Sequence, residues 1–354
     1  MNKAIFNNKL SPFYTELKAE VEKYFQENNL DSTGNFQLYI KTFILLFLAI
    51  FLYIQLVFFT PSWWISLPLC MLAGVNAAAI GFNVMHDACH GSYSQKKWLN
   101  NLMGYSLNLL GSNAFFWKVK HNVVHHTFTN IDGIDSDIVQ SSLLRFCPTQ
   151  PKLPVHRYQH IYGSVLYALS SMVWVFINDF QKYFSRKVYT TPISGMDAKE
   201  HLIFWATKVF YVSVYLIIPI YFVGVVNALV GYLAMNLTLG FTLAIVFQLA
   251  HVVEITEFED AKGITLKIED EWAIHQVNTT ADFATNNSVI TWLLGGLNFQ
   301  VEHHLFPKVS HIHYPKIQKI VAEVCAKFEV KYRVFPTMSE AVYSHFRMLR
   351  ILGN

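Results

Sequence analysis

TFILLFLAIFLYIQLVFFTPSWWISLPLCMLAGVNAAAIGFNVMHDACH, residues 42–90, contains no Asp, Glu, Lys or Arg before Asp87. One bilayer crossing takes about 20 residues of helix, so this run has room for two crossings and a tight turn. The turn is expected at Thr60-Pro61-Ser62-Trp63-Trp64, where the tryptophans suit a membrane interface. A second uncharged run lies between Lys208 and Glu254, with its turn expected between Gly224 and Gly231. Neither turn carries Lys or Arg, whereas the segment 86–208 is rich in them, from Lys96 and Lys97 through Arg145 to Lys199. An excess of positive charge marks the cytoplasmic side. Each hairpin returns to where it began, so the N-terminus and the chain after His251 share that side.

Composition agrees. Hydrophobic residues make up 53% of the 354 and charged residues only 14%. Soluble domains carry about a quarter, so lipid is part of this chain's solvent. The net charge of +3 is too small to argue for a nucleic-acid partner. The four cysteines, Cys70, Cys89, Cys147 and Cys325, have no CxxC spacing; neither a zinc ribbon nor a disulfide framework is implied, and a reducing compartment fits. No cleavable signal peptide is visible in the polar first forty residues.

Two further apolar stretches, Leu99–Trp117 and Ile161–Asn178, are read as interfacial or protein-buried helices: the first is studded with asparagine and the second is short. The expected fold is an all-α integral membrane protein. Four transmembrane helices, at about 42–60, 64–85, 207–226 and 229–250, form two hairpins under a cytosolic helical cap built from 86–206 and 251–314. Residues 1–40 form a cytosolic or interfacial segment, 41–314 the membrane domain, and 315–354 a cytosolic helical tail.

The 15 histidines are clustered. His86-Asp87-Ala88-Cys89-His90 directly follows the first hairpin. His121-Asn122-Val123-Val124-His125-His126 comes next, then Gln300-Val301-Glu302-His303-His304, and His251 stands alone where the second hairpin ends. Residues four apart share one helix face, so each cluster presents imidazoles in one direction. A chain with this histidine content carries HxxHH by chance roughly 0.03 times, which makes the match at 121–126 informative. Only the four-crossing arrangement puts every cluster on one membrane face. His86, His90, His121, His125, His126, His251, His303 and His304 are too many donors for one metal, since catalytic zinc sites use about three. Two metals are implied, with Gln300 as a further candidate ligand. Nitrogen-rich sites with open positions suit non-haem iron and oxygen chemistry.

HDACH, HNVVHH and QVEHH resemble the three histidine boxes of the membrane fatty-acid desaturases. The similarity runs from about Lys41 to Tyr314 and includes MHDACHGSYS at 85–94, HHTFTN at 125–130 and GGLNFQVEHHLFPKVSHIHYPKI at 295–317. It implies two non-haem irons held by the box histidines, with O2 as co-substrate and water as its product. It also implies a fatty acyl substrate on CoA, carrier protein or phospholipid. His251 matches a lone ligand at the end of the fourth membrane helix. Four residues before it, where acyl-CoA relatives place a water-holding asparagine, stands Phe247, with Gln248 the nearer polar candidate. The glutamine opening the third box resembles front-end desaturases, which place a double bond between an existing one and the carboxyl end. Many of those carry a fused cytochrome-b5-like domain with an HPGG motif. None is present here, so a separate electron donor, ferredoxin or cytochrome b5 in type, is expected. The implied location is a bacterial inner membrane or the ER membrane, with the active site facing the cytoplasm.

Other readings remain. Asp87, Asp135, Asp137 and Glu302 flank the boxes and are candidates to hold outer ring nitrogens of ligand histidines; solvated acids are the alternative. His275, His311 and His313 read as structural. Phe115, Phe116, Trp117 and Trp292 are candidates to line an acyl tunnel. Lys96, Lys97, Lys118 and Lys120 form a basic rim for an acidic donor or anionic headgroups. A related hydroxylase, epoxidase, ketolase or sphingolipid desaturase shares the same boxes. A metal transporter is disfavoured because transport sites lie near the bilayer midplane, not at helix ends.

Overall fold

The computed structural model describes residues 3–7, 11–139 and 141–354. Helix α1 (Pro12–Glu27) precedes α2 (Phe36–Phe59) and α3 (Trp63–His90). Two shorter segments follow, α4 (Lys97–Gly104) and α5 (residues 114–128), then α6 (Pro154–Ser185), α7 (Ala198–Val223) and α8 (Val225–His251). The chain closes with α9 (Trp272–Thr279), α10 (Gln300–Leu305), α11 (Tyr314–Lys327) and α12 (Met338–Gly353).

Among the described residues, α2, α3, α6, α7 and α8 are the five helices long and apolar enough to cross a membrane. The sequence reading expected four. The additional one is α6: Ile161–Asn178 does not stand alone but continues at both ends into polar turns of helix. Leu99–Trp117, by contrast, breaks into pieces too short to cross, with Gly111 at φ +91° between them. The chain reverses at 60–62 and at Gly224. Residues such as Phe43, Phe47, Trp63, Tyr221 and Val226 turn outward and are exposed, as a lipid-facing belt requires.

Small residues let these helices meet. A Cβ on Gly74 of α3 would lie 2.3 Å from the Met235 carbonyl of α8, and one on Gly240 of α8 would lie 2.4 Å from the Ala168 carbonyl of α6. The core so formed joins Ala77, Phe82, Tyr167, Val246, Leu249 and Leu349. Polar side chains tie the same helices: Ser171 donates to the Asn236 carbonyl at 2.8 Å, and Asn76 to the Leu45 carbonyl at 3.0 Å.

Against the expected all-α architecture, four short two-stranded pairs occur among the described residues. Lys3–Phe6 runs parallel to Thr265–Ile268, 131–132 pairs with 259–260, and 282–283 with 334–335. These three parallel pairs join segments far apart in sequence and give their backbone groups partners. A second core, with Phe13, Leu17, Ile317, Val321 and Phe299, docks α1 and α11 behind α10.

Candidate metal centre

Four segments bring the histidines together. α3 ends on His86 and His90, α8 ends on His251, α5 carries His121, His125 and His126, and α10 carries His303 and His304. All lie buried or nearly so. The turn before the first box, Gly81–Met85, is π-helical, and so is Val119–His125 within the second. Such wide turns recur at functional sites. This one changes the expected register. In an α-helix His121 and His125 would meet; they still stack at 5.3 Å, and the wider turn also brings residues five apart together, with His126 Nε2 3.1 Å from His121 Nε2.

The rings converge through their Nε2 atoms. His86 and His121 approach to 3.1 Å and His125 and His251 to 3.3 Å. The Nε2 atoms of His90, His303 and His304 are buried with no hydrogen-bond partner. Among the described residues three groups have their donor atoms within 4.8 Å of one another: His86, His90, His121 and His303; His125, His251 and His304; and His121, His125 and Asp137, which links the first two. His126 bridges them, touching His121 and stacking on His304 at 4.4 Å.

The outer nitrogens explain the aim. His125 Nδ1–H donates to Asp135 Oδ2 at 3.1 Å, with Asp137 Oδ2 3.4 Å away. His304 Nδ1–H donates to Gln276 Oε1 at 2.9 Å, beside the Thr129 hydroxyl. His303 Nδ1–H donates to the Tyr314 hydroxyl at 3.2 Å, and His251 Nδ1 faces the Thr279 carbonyl at 3.4 Å. Anchoring one ring nitrogen fixes the tautomer and leaves the other as a lone-pair donor.

Burial first, and then the charge of neighbouring rings, holds His121, His126, His303 and His304 well below the usual imidazole range. The uncharged ring, with a lone pair free to bind a cation, is therefore the favoured form. For His125 burial also lowers the pKa, but Asp135 and Asp137 outweigh it and the net shift is upward. Burial pushes Asp137 up, yet Lys120 and His125 overcome that and hold it down at about 2. The donor set fits nitrogen-loving cations: many imidazoles, nearby carboxylates and no cysteine among the grouped donors.

Not every flanking acid lies against a box ring. Asp135 and Asp137 do. Asp87 instead accepts from Ser310 Oγ at 2.6 Å and from His311 Nδ1 at 3.0 Å, and Lys41 Nζ lies 3.2 Å from His311 Nε2. Glu302 turns the other way, accepting from the Tyr332 hydroxyl at 3.0 Å; burial, with Asp282 beside it, raises its pKa well above the carboxylate range. Helix geometry is the reason: with His86, His303 and His304 pointing at the centre, the residues next to them point away. Gln300 is buried and donates to the Leu297 carbonyl at 2.9 Å. Gln248 is buried with Oε1 unpartnered.

Gln276 and Thr129 were not singled out from the sequence, because neither belongs to a box. The HHTFTN stretch held the only signal for Thr129. His275, read as structural, donates from Nε2 to the Thr129 carbonyl at 2.9 Å. Of the tunnel candidates, Trp117 stacks on His121 at 4.3 Å and lines a small apolar cavity with Phe247 and Met85. Phe116 packs on Phe204, and Trp292 lies under Lys41. Lys96 and Lys97 are exposed, while Lys120 is taken up by Asp137.

Apolar helices of membrane length, ending on a shared cluster of buried imidazoles that could hold metal ions, define a class of membrane proteins with a histidine-rich candidate metal site. The profile of the family described as fatty acid desaturase matches residues 61–336, and the chain belongs to that family. It is 39% identical over 340 residues to an sn-1 linoleoyl-lipid 6-desaturase of Arthrospira platensis, covering 96% of this chain and 92% of the relative. A protein of the same description from Synechocystis sp. is 35% identical, at 96% and 95% coverage. An acyl-lipid (8-3)-desaturase of Physcomitrium patens is 37% identical, at 96% and 72%. The chain is thus an oxidoreductase that desaturates fatty acyl chains, and an integral membrane protein.

Proposed function

We propose that this enzyme is a front-end desaturase of lipid-bound acyl chains, working at two iron ions on the cytoplasmic side of a four-crossing membrane domain. The observation that carries the proposal is the convergence of eight imidazoles, Nε2 inward, beside an apolar cavity. The histidine-box donors suit iron. When bound, the two ions would supply the reduction of O2 to water, using two electrons from a donor and two from the chain, whose hydrogens leave from adjacent methylenes. His86, His90, His121 and His303 would hold one ion, and His125, His251 and His304 the other, with His126 between them. Gln300 and Gln248 are the polar residues available for remaining positions.

The protein's own part is positioning. Asp135, Gln276, Tyr314 and the Thr279 carbonyl hold the rings so that Nε2 points inward. Trp117 and Phe247 wall the cavity, keep water out and leave room for a hydrocarbon segment. The lipid-linked substrates in the relatives' names support a lipid-bound chain here, and their 6- and (8-3)-desaturase names support front-end placement. Electrons from a separate acidic donor are supported by the exposed Lys96 and Lys97.

Four crossings are supported by parity. His125 and His251 touch, yet α6, α7 and α8 lie between them; three full crossings would put them on opposite faces. Two cross. α7 and α8 are joined by an uncharged turn, whereas α6 carries Arg157 near one end and Lys182, Arg186 and Lys187 at the other, so both ends of α6 lie on the cytoplasmic side and the helix runs along that face. The proposal is tested by lipid profiling of a host expressing the chain. The wild type should yield a new double bond on the carboxyl side of existing ones. His125→Ala should lose it together with most bound iron. Products that gain oxygen instead of losing hydrogens would sink the reading.

A further inference from the structure

We propose that Lys120 is a positioning residue that ties the small apolar cavity to the metal centre, so that the cavity wall and the ligand His125 hold one another in place. The proposal rests on the reading of the histidine cluster as an iron site. Lys120 belongs to the basic rim read from the sequence, yet its side chain is only 17% exposed. An ammonium is strongly hydrated, and withdrawing it from water is costly unless partners replace that water.

Two partners do so. The first is Asp137, whose Oδ1 pairs with Lys120 Nζ. The other oxygen of that carboxylate lies 3.4 Å from His125 Nδ1. The second is the Trp174 ring on α6, which Nζ overlies at 5.3 Å from the centroid, within reach of the attraction between a cation and an aromatic face.

Trp174 is itself anchored. Its ring N–H donates to Asp179 Oδ1 at 3.1 Å, and Asp179 is buried and accepts from Lys208 Nζ at 2.9 Å. A second ammonium, Lys182 Nζ, lies 5.3 Å from the same ring. The Trp174 ring also lines the apolar cavity, together with Trp117, which stacks on His121. One ammonium is thus shared between a wall of the cavity and the carboxylate behind a ligand histidine. Its backbone directly precedes another, His121, on the π-helical turn.

Taking away the ammonium leaves the Asp137 carboxylate beside His125 without its countercharge. Taking away the ring leaves the ammonium with one partner fewer. Either change slackens the hold on His125. Cavity and metal have to stay in register, since a displacement of about 1 Å at a reacting centre can cost about 100-fold in rate. Coupling between two sites is also reciprocal, so metal at His125 steadies the wall as the wall steadies the metal.

The test uses the full chain in detergent, stripped of metal and titrated with iron(II) against a chelator. Lys120→Met keeps the apolar stem and should weaken iron about tenfold, the lower end of what partners behind metal ligands contribute. Lys120→Arg should recover most of that loss. Trp174→Leu should weaken iron too, and adding it to Lys120→Met should cost nothing further, because members of one network are not additive. Leu239→Ala removes a different side chain from the same cavity lining and should leave iron affinity at the wild-type level. Zinc(II), which is redox-silent, should shift the component of the fluorescence that Trp174→Phe removes, and Lys120→Met should abolish that shift. Wild-type affinity in Lys120→Met, additive losses in the double variant, or a Trp174 emission unmoved by zinc overturns the proposal. So does a loss in Leu239→Ala equal to that in Trp174→Leu, a comparison that decides the matter alone if Lys120→Met does not fold. A wild type that binds no iron would instead defeat the metal reading itself.

Discussion

At the scale of single residues, the centre depends on the partners behind the rings. Asp135→Asn leaves His125 Nδ1 with only the more distant Asp137 carboxylate, and Gln276→Leu leaves His304 Nδ1 with only the Thr129 hydroxyl. Outer partners of this kind are typically worth 10–100-fold in metal affinity. Each variant should bind iron about 10–100-fold more weakly in a chelator competition while keeping its thermal midpoint in the apo form; unchanged competition would remove these residues from the site. His345 is a residue of another sort. It donates from Nδ1 to the Val252 carbonyl, accepts from the Tyr167 hydroxyl, and is held near 4 by burial. In the unfolded chain it titrates near 6.5. Its folded pKa is depressed, so the stability of the neutral ring is complete above pH 6.5 and is lost as pH falls from 6.5 toward 4. The contribution is on the order of 3 kcal/mol. Thermal midpoints followed from pH 7 to 4 should fall more steeply for the wild type than for His345→Gln; parallel curves would refute the assignment.

At the scale of elements, the approach of the first box to the third depends on Gly295-Gly296. Gly295 has φ +58°, and a Cβ there would sit 2.5 Å from the Phe82 carbonyl, in the π-turn that leads to His86. Gly195 has φ +81° but open space around it. Both Ala variants force an unfavourable backbone, costing about 1–3 kcal/mol, but only Gly295→Ala also meets a carbonyl. Its midpoint should drop well below that of Gly195→Ala, and equal losses would show that the close packing does not matter. The glycine pair itself was legible as a bend before QVEHH. What it bends around was not, since Phe82 lies more than two hundred positions earlier.

At the scale of the whole molecule, topology can be probed by thiols. The native cysteines are all buried. Tyr189→Cys lies between α6 and α7, and Tyr221→Cys near the turn that joins α7 to α8; both positions are exposed. An impermeant maleimide should label position 221 on intact cells and position 189 only after the membrane is opened; labelling of 189 from outside would mean that α6 crosses. The helical class, the two long uncharged runs and the clustered histidines could all be read from the chain, because charge gaps and helical spacing are local properties. The tertiary structure decided the rest. It drew α6 along α8 through Gly240, put His121 and His126 together on a π-turn, and turned Asp135 toward a ring but Asp87 and Glu302 away. It also recruited Gln276 and Tyr314 from outside any motif. Each of those outcomes is a contact between residues far apart in sequence, and only close packing sets which side chain faces which.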